Sequence, residues 1–168
     1  ASAPLRTLQD GDRLAGRYRI VRFVARGGMG EVYEAHDDLL SETVALKTLN
    51  CTDLDQVAGI SRMKSEVLMA RRVTHPNVCR ILEFGVEERR GERIPFLTME
   101  FLRGETLRAR VARLGPLAAK EARPLVAQML DALAAIHDAG LVHRDWKSEN
   151  LFLIDAPEPG RAPKLIVM

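Results

Sequence analysis

Residues His143-Arg144-Asp145-Trp146-Lys147-Ser148-Glu149-Asn150 form a short polar run between two apolar ones, Leu141-Val142 and Leu151-Phe152-Leu153-Ile154. From Asp145 to Asn150 the chain carries a carboxylate, an ammonium and an amide within a few residues. Phosphoryl transfer asks for such a set: an acceptor for the incoming hydroxyl proton, a cation for the migrating phosphate, and an oxygen ligand for a metal. A solvated surface turn has the same composition. The chemistry therefore needs further parts elsewhere, on elements that can present them.

The first such part is a glycine-dense turn, Arg26-Gly27-Gly28-Met29-Gly30. It joins two alternating stretches, Tyr18 to Ala25 and Glu31 to Ala35, and the three together predict a β-hairpin. Backbone without Cβ atoms can lie close over a ligand and aim N–H groups at phosphate oxygens. A third strand is expected from Ser41 to Leu49. It places Lys47 inside the apolar run Val44-Ala45-Leu46, a costly position unless the ammonium has anionic company or snorkels to an edge. A helix follows, with Asp53 as its cap and Ile60, Met63, Val67 and Ala70 at helical spacing. Glu66 flanks that stripe and can turn toward Lys47; a surface salt bridge with Arg62 or Arg71 is the other reading. Pro76 disfavours helix at His75 and closes the element.

Strands are expected over Val78 to Val86 and Ile94 to Glu100, joined by a charged turn from Glu87 to Arg93. The remainder reads as a helix from Glu105 to Leu114 and a longer one from Glu121 to Ala139. The apolar face of the longer helix is Val126, Met129, Leu130, Leu133 and Ile136, and Gly140 is its left-handed cap. Strands Leu151 to Ile154 and Lys164 to Met168 flank a Pro- and Gly-rich turn.

A length of 168 residues fits one ordinary domain, or one domain and a piece of another. Apolar residues at 46% and charged residues at 29% mark a globular chain. A net charge of +2 is too small to argue for nucleic acid, and no basic stripe with interleaved aromatics appears. Cys51 and Cys79 are too few for a disulfide framework and lack metal-site spacing, so they read as thiols of a reducing compartment. The first residues lack a signal-peptide pattern, and no run approaches the roughly 18 apolar residues of a membrane span. These features predict a cytoplasmic segment without membrane contact, although a longer parent protein could be anchored elsewhere.

Three motifs carry a resemblance. The polar run matches the catalytic-loop pattern H-R-D-L-x-x-x-N with Trp146 in the leucine place. The glycine turn matches G-x-G-x-x-G-x-V with Ala25 in the first glycine place and Gly27, Gly30 and Val32 in the others. Val44-Ala45-Leu46-Lys47 matches V-A-I-K. Lys47 follows Gly30 by 17 residues and Glu66 follows Lys47 by 19, which are family-like separations. The chain resembles the eukaryotic-type protein kinases. Lys147 and the wording Gly27-Gly28-Met29-Gly30-Glu31-Val32-Tyr33 resemble the bacterial serine/threonine subgroup.

The resemblance implies an α+β, two-lobed, protein-kinase-like fold. A small lobe of five antiparallel strands and one helix (residues 18–100) would follow a lead-in (1–17). A hinge (101–104) would then lead to the first, mainly helical part of the large lobe (105–168), ending before the activation segment. It implies transfer of the ATP γ-phosphate to a protein serine or threonine hydroxyl. Asp145 would take or orient the hydroxyl proton, Lys147 would neutralise the γ-phosphate, and Asn150 would bind Mg²⁺. Arg144 would orient the activation loop and His143 would support the catalytic loop from beneath. Lys47, held by Glu66, would grip the other phosphates. The nucleotide would further meet Val24, Ala25, Gly27, Gly28, Gly30, Val32, Ala45, a gatekeeper Met99, and the hinge from Glu100 to Leu102. The Asp-Phe-Gly motif, with its metal-binding aspartate, would come directly after Met168, so residues 1–168 alone are expected to be inactive. They are also expected to expose apolar surface on the Glu121–Ala139 helix. Competing readings are an inactive nucleotide-binding or scaffolding module and a small-molecule phosphotransferase. Intact Asp145, Lys147 and Asn150 argue against the first, and Lys147 with the glycine turn argues against the second.

Overall fold

The computed structural model describes residues 6–28, 30–50, 56–89, 91–154 and 162–168, and the expected cap Asp53 lies outside them. The chain divides into two compact units, residues 1–68 with 81–101 and residues 69–80 with 102–168.

The first unit is built on an antiparallel sheet of β1 (Arg13–Leu14), β2 (Tyr18–Gly27), β3 (Gly30–Asp37), β4 (Glu42–Thr48), β5 (Ile81–Arg89) and β6 (Glu92–Glu100). The strand order is β1-β2-β3-β4-β6-β5. This is six strands where the sequence predicts five. The extra strand comes from the supposed lead-in, where Arg13 and Leu14 pair with Arg19 and Tyr18. Leu8 and Leu14 are fully buried in one cluster with Tyr18, Ile20, Tyr33, Ala35, Val44, Leu46 and Phe96. Two leucines among Gly, Asp and Arg carry no period, so the stretch reads as a linker; burial makes it part of the core. The same segment is tied down by charge. Arg89 donates two hydrogen bonds to Asp12 at 2.6 and 2.7 Å, and Arg17 forks onto Asp37 at 2.8 and 2.6 Å.

In β2 the alternation breaks at two irregularities, between Ile20 and Arg22 and between Phe23 and Ala25. Tyr18 and Ile20 are buried while Val21 and Val24 are exposed. A bulge shifts the pleat by one residue, which moves later side chains to the other face. The β5–β6 hairpin is longer than predicted at its tip. Glu88 pairs with Arg93 and Arg89 with Glu92, so cross-strand charges extend a ladder that reads from sequence as a turn. Helix α1 spans Gln56–Ala70.

The second unit has a three-stranded antiparallel sheet, β7 (Glu105–Thr106), β8 (Leu151–Ile154) and β9 (Lys164–Val167). Helices α2 (Leu107–Leu114) and α3 (Ala119–Asp138) accompany it. Glu105 and Thr106 are therefore strand, not helix as expected. Thr106 also caps α2, its Oγ1 accepting from the Ala109 N–H at 3.1 Å. The buried face of α3 is Leu125, Ala132 and Ile136, with Met129 packed beside it. The expected face included Val126 and Leu130, which are 47% and 61% exposed. Ala132, too small to mark a core position in sequence, is the most deeply buried residue of the helix, and exposed Val126 and Leu130 leave apolar surface open on α3 as expected. Gly140 caps α3 at φ +75°, as its position predicts.

Residues 69–80 belong with this second unit, although the sequence places them in the small lobe. Asn77 explains why. Its Nδ2 donates to the Leu165 carbonyl at 2.7 Å and to Gln128 Oε1 at 2.8 Å. The Cys79 N–H donates to the Val167 carbonyl at 2.8 Å. Cys79 itself is a buried thiol.

Candidate active site

The polar run at residues 143–150 is a tightly bonded loop. Leu141-Val142 leads in from the end of α3, and β8 leads out into the core through buried Leu151 and Leu153. Between them the Asp145 N–H donates to the His143 carbonyl at 2.8 Å, and Arg144 has φ +61°. An i to i+2 hydrogen bond around a positive-φ residue is the rarer, strained γ-turn. Such strain persists only where the surroundings enforce it. Here the His143 ring supplies part of that frame, with Nε2 2.8 Å from the Met168 carbonyl and an edge-on contact to Trp146 at 5.2 Å.

The turn aims Asp145 at its neighbours. Lys147 Nζ stands 2.9 Å from Asp145 Oδ1. Asn150 Nδ2 donates to Asp145 Oδ2 and to the Asp145 carbonyl, both at 2.8 Å. Lys147 first, and Asn150 second, hold the Asp145 carboxyl below its ordinary range. The carboxylate is thus ionised, oriented and open to solvent. Both amide hydrogens of Asn150 point at Asp145, which leaves its Oδ1 as the acceptor available to a cation. A short 3₁₀ turn, Ser148–Asn150, sets that spacing. The donor set fits a magnesium ion that takes most of its oxygens from phosphates and water. Among the described residues no three His, Cys, Asp or Glu side chains cluster as a metal site.

The other expected residues lie in the first unit, except Leu102, which belongs to the second. The β2–β3 hairpin closes at the pair Gly27 and Gly30. Gly30 has φ +140°, and a Cβ there would overlap the Thr48 carbonyl oxygen; nothing lies within 4 Å of where a Cβ would stand on Gly27 or Gly28. Gly30 is thus required by the fold, whereas the other two leave open space above the hairpin. Met29 lies outside the described residues.

Register groups the remaining positions. Ala25 pairs with Val32, Val32 with Lys47, and Lys47 with Leu97. Ala45 pairs with Met99. Cross-strand partners, and residues two apart on a strand, share a face. Val32, Ala45, Lys47 and Met99 therefore share one face, while Tyr33, Leu46 and Thr98 form the fully buried opposite row. Val24 is exposed at the bulge, Glu100 pairs with Val44, and Leu102 is half-buried. Glu66 departs from expectation. It is exposed. Ile60 and Val67 occupy the buried side of α1 and turn Glu66 off it.

Glu31 is a residue that sequence reasoning passed over. It is 4% exposed and accepts from Arg26, the Tyr33 hydroxyl and the Thr7 N–H. Burial pushes its carboxyl up, but the bonds from Tyr33, Thr7 and Arg26 outweigh that and bring it down to about 2. A signal existed: Glu31 sits on the phase of β3 that buries Tyr33, Ala35 and Asp37. An acid on the apolar phase of a strand calls for a partner.

Comparison with known proteins decides the family. The protein kinase domain profile matches residues 18–166. The chain belongs to the protein kinase family. Its relatives place it in the bacterial serine/threonine branch. It is 43% identical over 141 residues to the serine/threonine-protein kinase pkn2 of Myxococcus xanthus, covering 83% of this chain and 16% of that protein. It is 37% identical over 144 residues to PknA of Mycobacterium tuberculosis, covering 85% and 33%. Among solved structures, the PknI kinase domain of M. tuberculosis superimposes with a TM-score of 0.78 at 25% identity, over 96% of this chain and 60% of that one. Rad53, solved in complex with AMP-PNP, superimposes with a TM-score of 0.73 at 25% identity, over 91% and 38%. This kinase chain thus spans a third or less of these curated relatives. Among its described residues no helix is long and apolar enough to cross a membrane.

Proposed function

We propose that these residues carry the nucleotide-binding and catalytic-loop portion of a serine/threonine protein kinase that moves the γ-phosphate of ATP to a hydroxyl of a protein. The observation that carries this reading is the set Asp145, Lys147 and Asn150, with one carboxylate bonded at 2.9 Å to the ammonium and at 2.8 Å to the amide. The substrate oxygen attacks the γ-phosphorus, the bond to the β–γ bridging oxygen breaks, and ADP leaves with the electron pair. The hydroxyl proton passes to Asp145. A carboxyl held this acidic is a weak base, so Asp145 acts chiefly by orienting the hydroxyl. Lys147 offsets charge on the transferred group. Asn150 Oδ1 is the ligand offered to Mg²⁺, which neutralises the phosphates when bound. Lys47 binds the remaining phosphates and the glycine hairpin covers them. The Val32–Ala45–Met99 face takes the adenine, and Glu100 to Leu102 offer it their backbone. The relatives' kinase titles and the AMP-PNP complex of Rad53 support the ATP assignment. ATP and Mg²⁺ supply also favours a cytoplasmic location.

The test is phosphate transfer to protein by the intact protein that contains this chain. Asp145→Asn should lower kcat by about two to four orders of magnitude. Transfer at the parent rate by that variant would overturn the assignment.

A further inference from the structure

The Arg26–Glu31 pair lies across the hairpin one step from its glycine tip, in register between the strands. Arg26 sends both Nε and Nη2 to Glu31 Oε1. The other oxygen, Oε2, faces away from the tip. It accepts the Thr7 N–H at 2.9 Å and the Tyr33 hydroxyl. The Tyr33 oxygen in turn accepts the Leu8 N–H at 3.1 Å. One residue further out, the Arg6 guanidinium lies 4.4 Å from the centre of the Phe23 ring. The base of β3 is fixed as well, since the Glu31 N–H donates to Thr48 Oγ1 at 3.1 Å. The segment from Arg6 to Leu14 thus forms a strap across the back of the hairpin. Glu31 is where strap and hairpin meet.

This geometry has a consequence for binding, given the nucleotide role proposed above for the hairpin. Gly27, Gly28 and Gly30 contribute no side chains that could hold the height of the tip. The Asn50 side chain reaches the Gly28 carbonyl at 3.2 Å from an exposed position, a weak restraint in water. Arg26 adds charge-assisted bonds from an exposed side chain to a carboxylate that is itself buried. We propose that Glu31 is a positioning residue for nucleotide binding: its buried carboxylate holds the glycine hairpin, through Arg26, against the amino-terminal strap. The ligand class is the polyphosphate of a nucleoside triphosphate, and the effect is on its affinity.

The experiment separates hairpin positioning from general stability. The intact protein, as parent, Glu31→Gln, Arg26→Gln, the double variant and Tyr33→Phe, is measured for KM of Mg·ATP, kcat, direct binding of Mg·ADP, and thermal midpoint. Glu31→Gln and Arg26→Gln should each raise KM for ATP and Kd for ADP about five- to twentyfold, with kcat within about twofold. The double variant should be no worse than the poorer single one, because both break the same link. Tyr33→Phe deletes a bond to the same carboxylate but leaves Arg26 in place. It should lower the midpoint while KM and Kd stay within about twofold. The proposal is overturned if Glu31→Gln lowers only the midpoint, or if Tyr33→Phe raises KM as much as Arg26→Gln does. A parent protein that binds no Mg·ADP would instead refute the kinase reading on which the proposal rests.

Discussion

Leu8 is the sharpest test of how the first unit is held together. It lies in a stretch that sequence reads as a lead-in, yet it is 0% exposed and its N–H is bonded to Tyr33. Leu8→Ala removes three buried carbons, about 2.4 kcal/mol of transfer free energy at roughly 0.8 kcal/mol each. A residual cavity lifts the expected loss to about 3 kcal/mol, inside the roughly 2–5 kcal/mol range for such changes. With a urea slope near 2 kcal/mol/M this moves the unfolding midpoint down by about 1.5 M. The probe must report on the first unit. Both tyrosines of the chain, Tyr18 and Tyr33, lie there, whereas its one tryptophan, Trp146, lies in the second. Tyrosine absorbance and tryptophan fluorescence in urea therefore follow the two units separately. Leu39→Ala, at a position 71% exposed, is the control and should cost less than about 0.5 kcal/mol. Leu8→Met, which keeps the volume, should cost less than about 1.5 kcal/mol. If Leu8→Ala shifts the tyrosine transition no more than Leu39→Ala does, the amino-terminal segment is a linker after all and the strap is not part of the core.

Two further outcomes follow from the same unit. Gly30→Ala must place a Cβ against the Thr48 carbonyl at φ +140°; it should destabilise the hairpin by at least about 1–3 kcal/mol. Gly28→Ala, which meets nothing within 4 Å, should leave stability nearly unchanged, and equal losses from the two, measured by urea unfolding, would contradict the geometry. The tyrosines give a pH signature. Burial first, then a bond to Glu83, pushes Tyr18 up to about 12; burial first, then a bond to Glu31, pushes Tyr33 up to about 12. A raised pKa means the neutral form is favoured by folding, so this stability is complete below the unfolded value near 10 and is lost as pH rises toward 12. Absorbance at the tyrosinate band after a rapid pH jump should show almost no ionised tyrosine in the folded chain at pH 10.5. Half-ionisation there would contradict the burial.

The residues proposed to carry the chemistry could be picked out in the sequence because local spacing largely groups them. Asp145, Lys147 and Asn150 meet within one loop, and the glycine turn and Lys47 sit on neighbouring strands whose phase alone decides which side chains share a face. That locality made the kinase family readable, and the register of β3, β4 and β6 puts Val32, Ala45, Lys47 and Met99 on one face. What the tertiary structure decided are the contacts between distant segments. No period announces Leu8 and Leu14 as core, and no rule links Thr7 to Glu31, 24 residues away. The buried stripe of α3, Leu125, Ala132 and Ile136, is turned by about one position from the expected one because burial depends on what lies opposite. Glu66 shows the same limit: helical spacing put it beside the apolar stripe, but the docking of Ile60 and Val67 left it in solvent. Sequence sets which side chains a strand or turn can present together; only packing sets which of them are buried and which long-range bonds their burial demands.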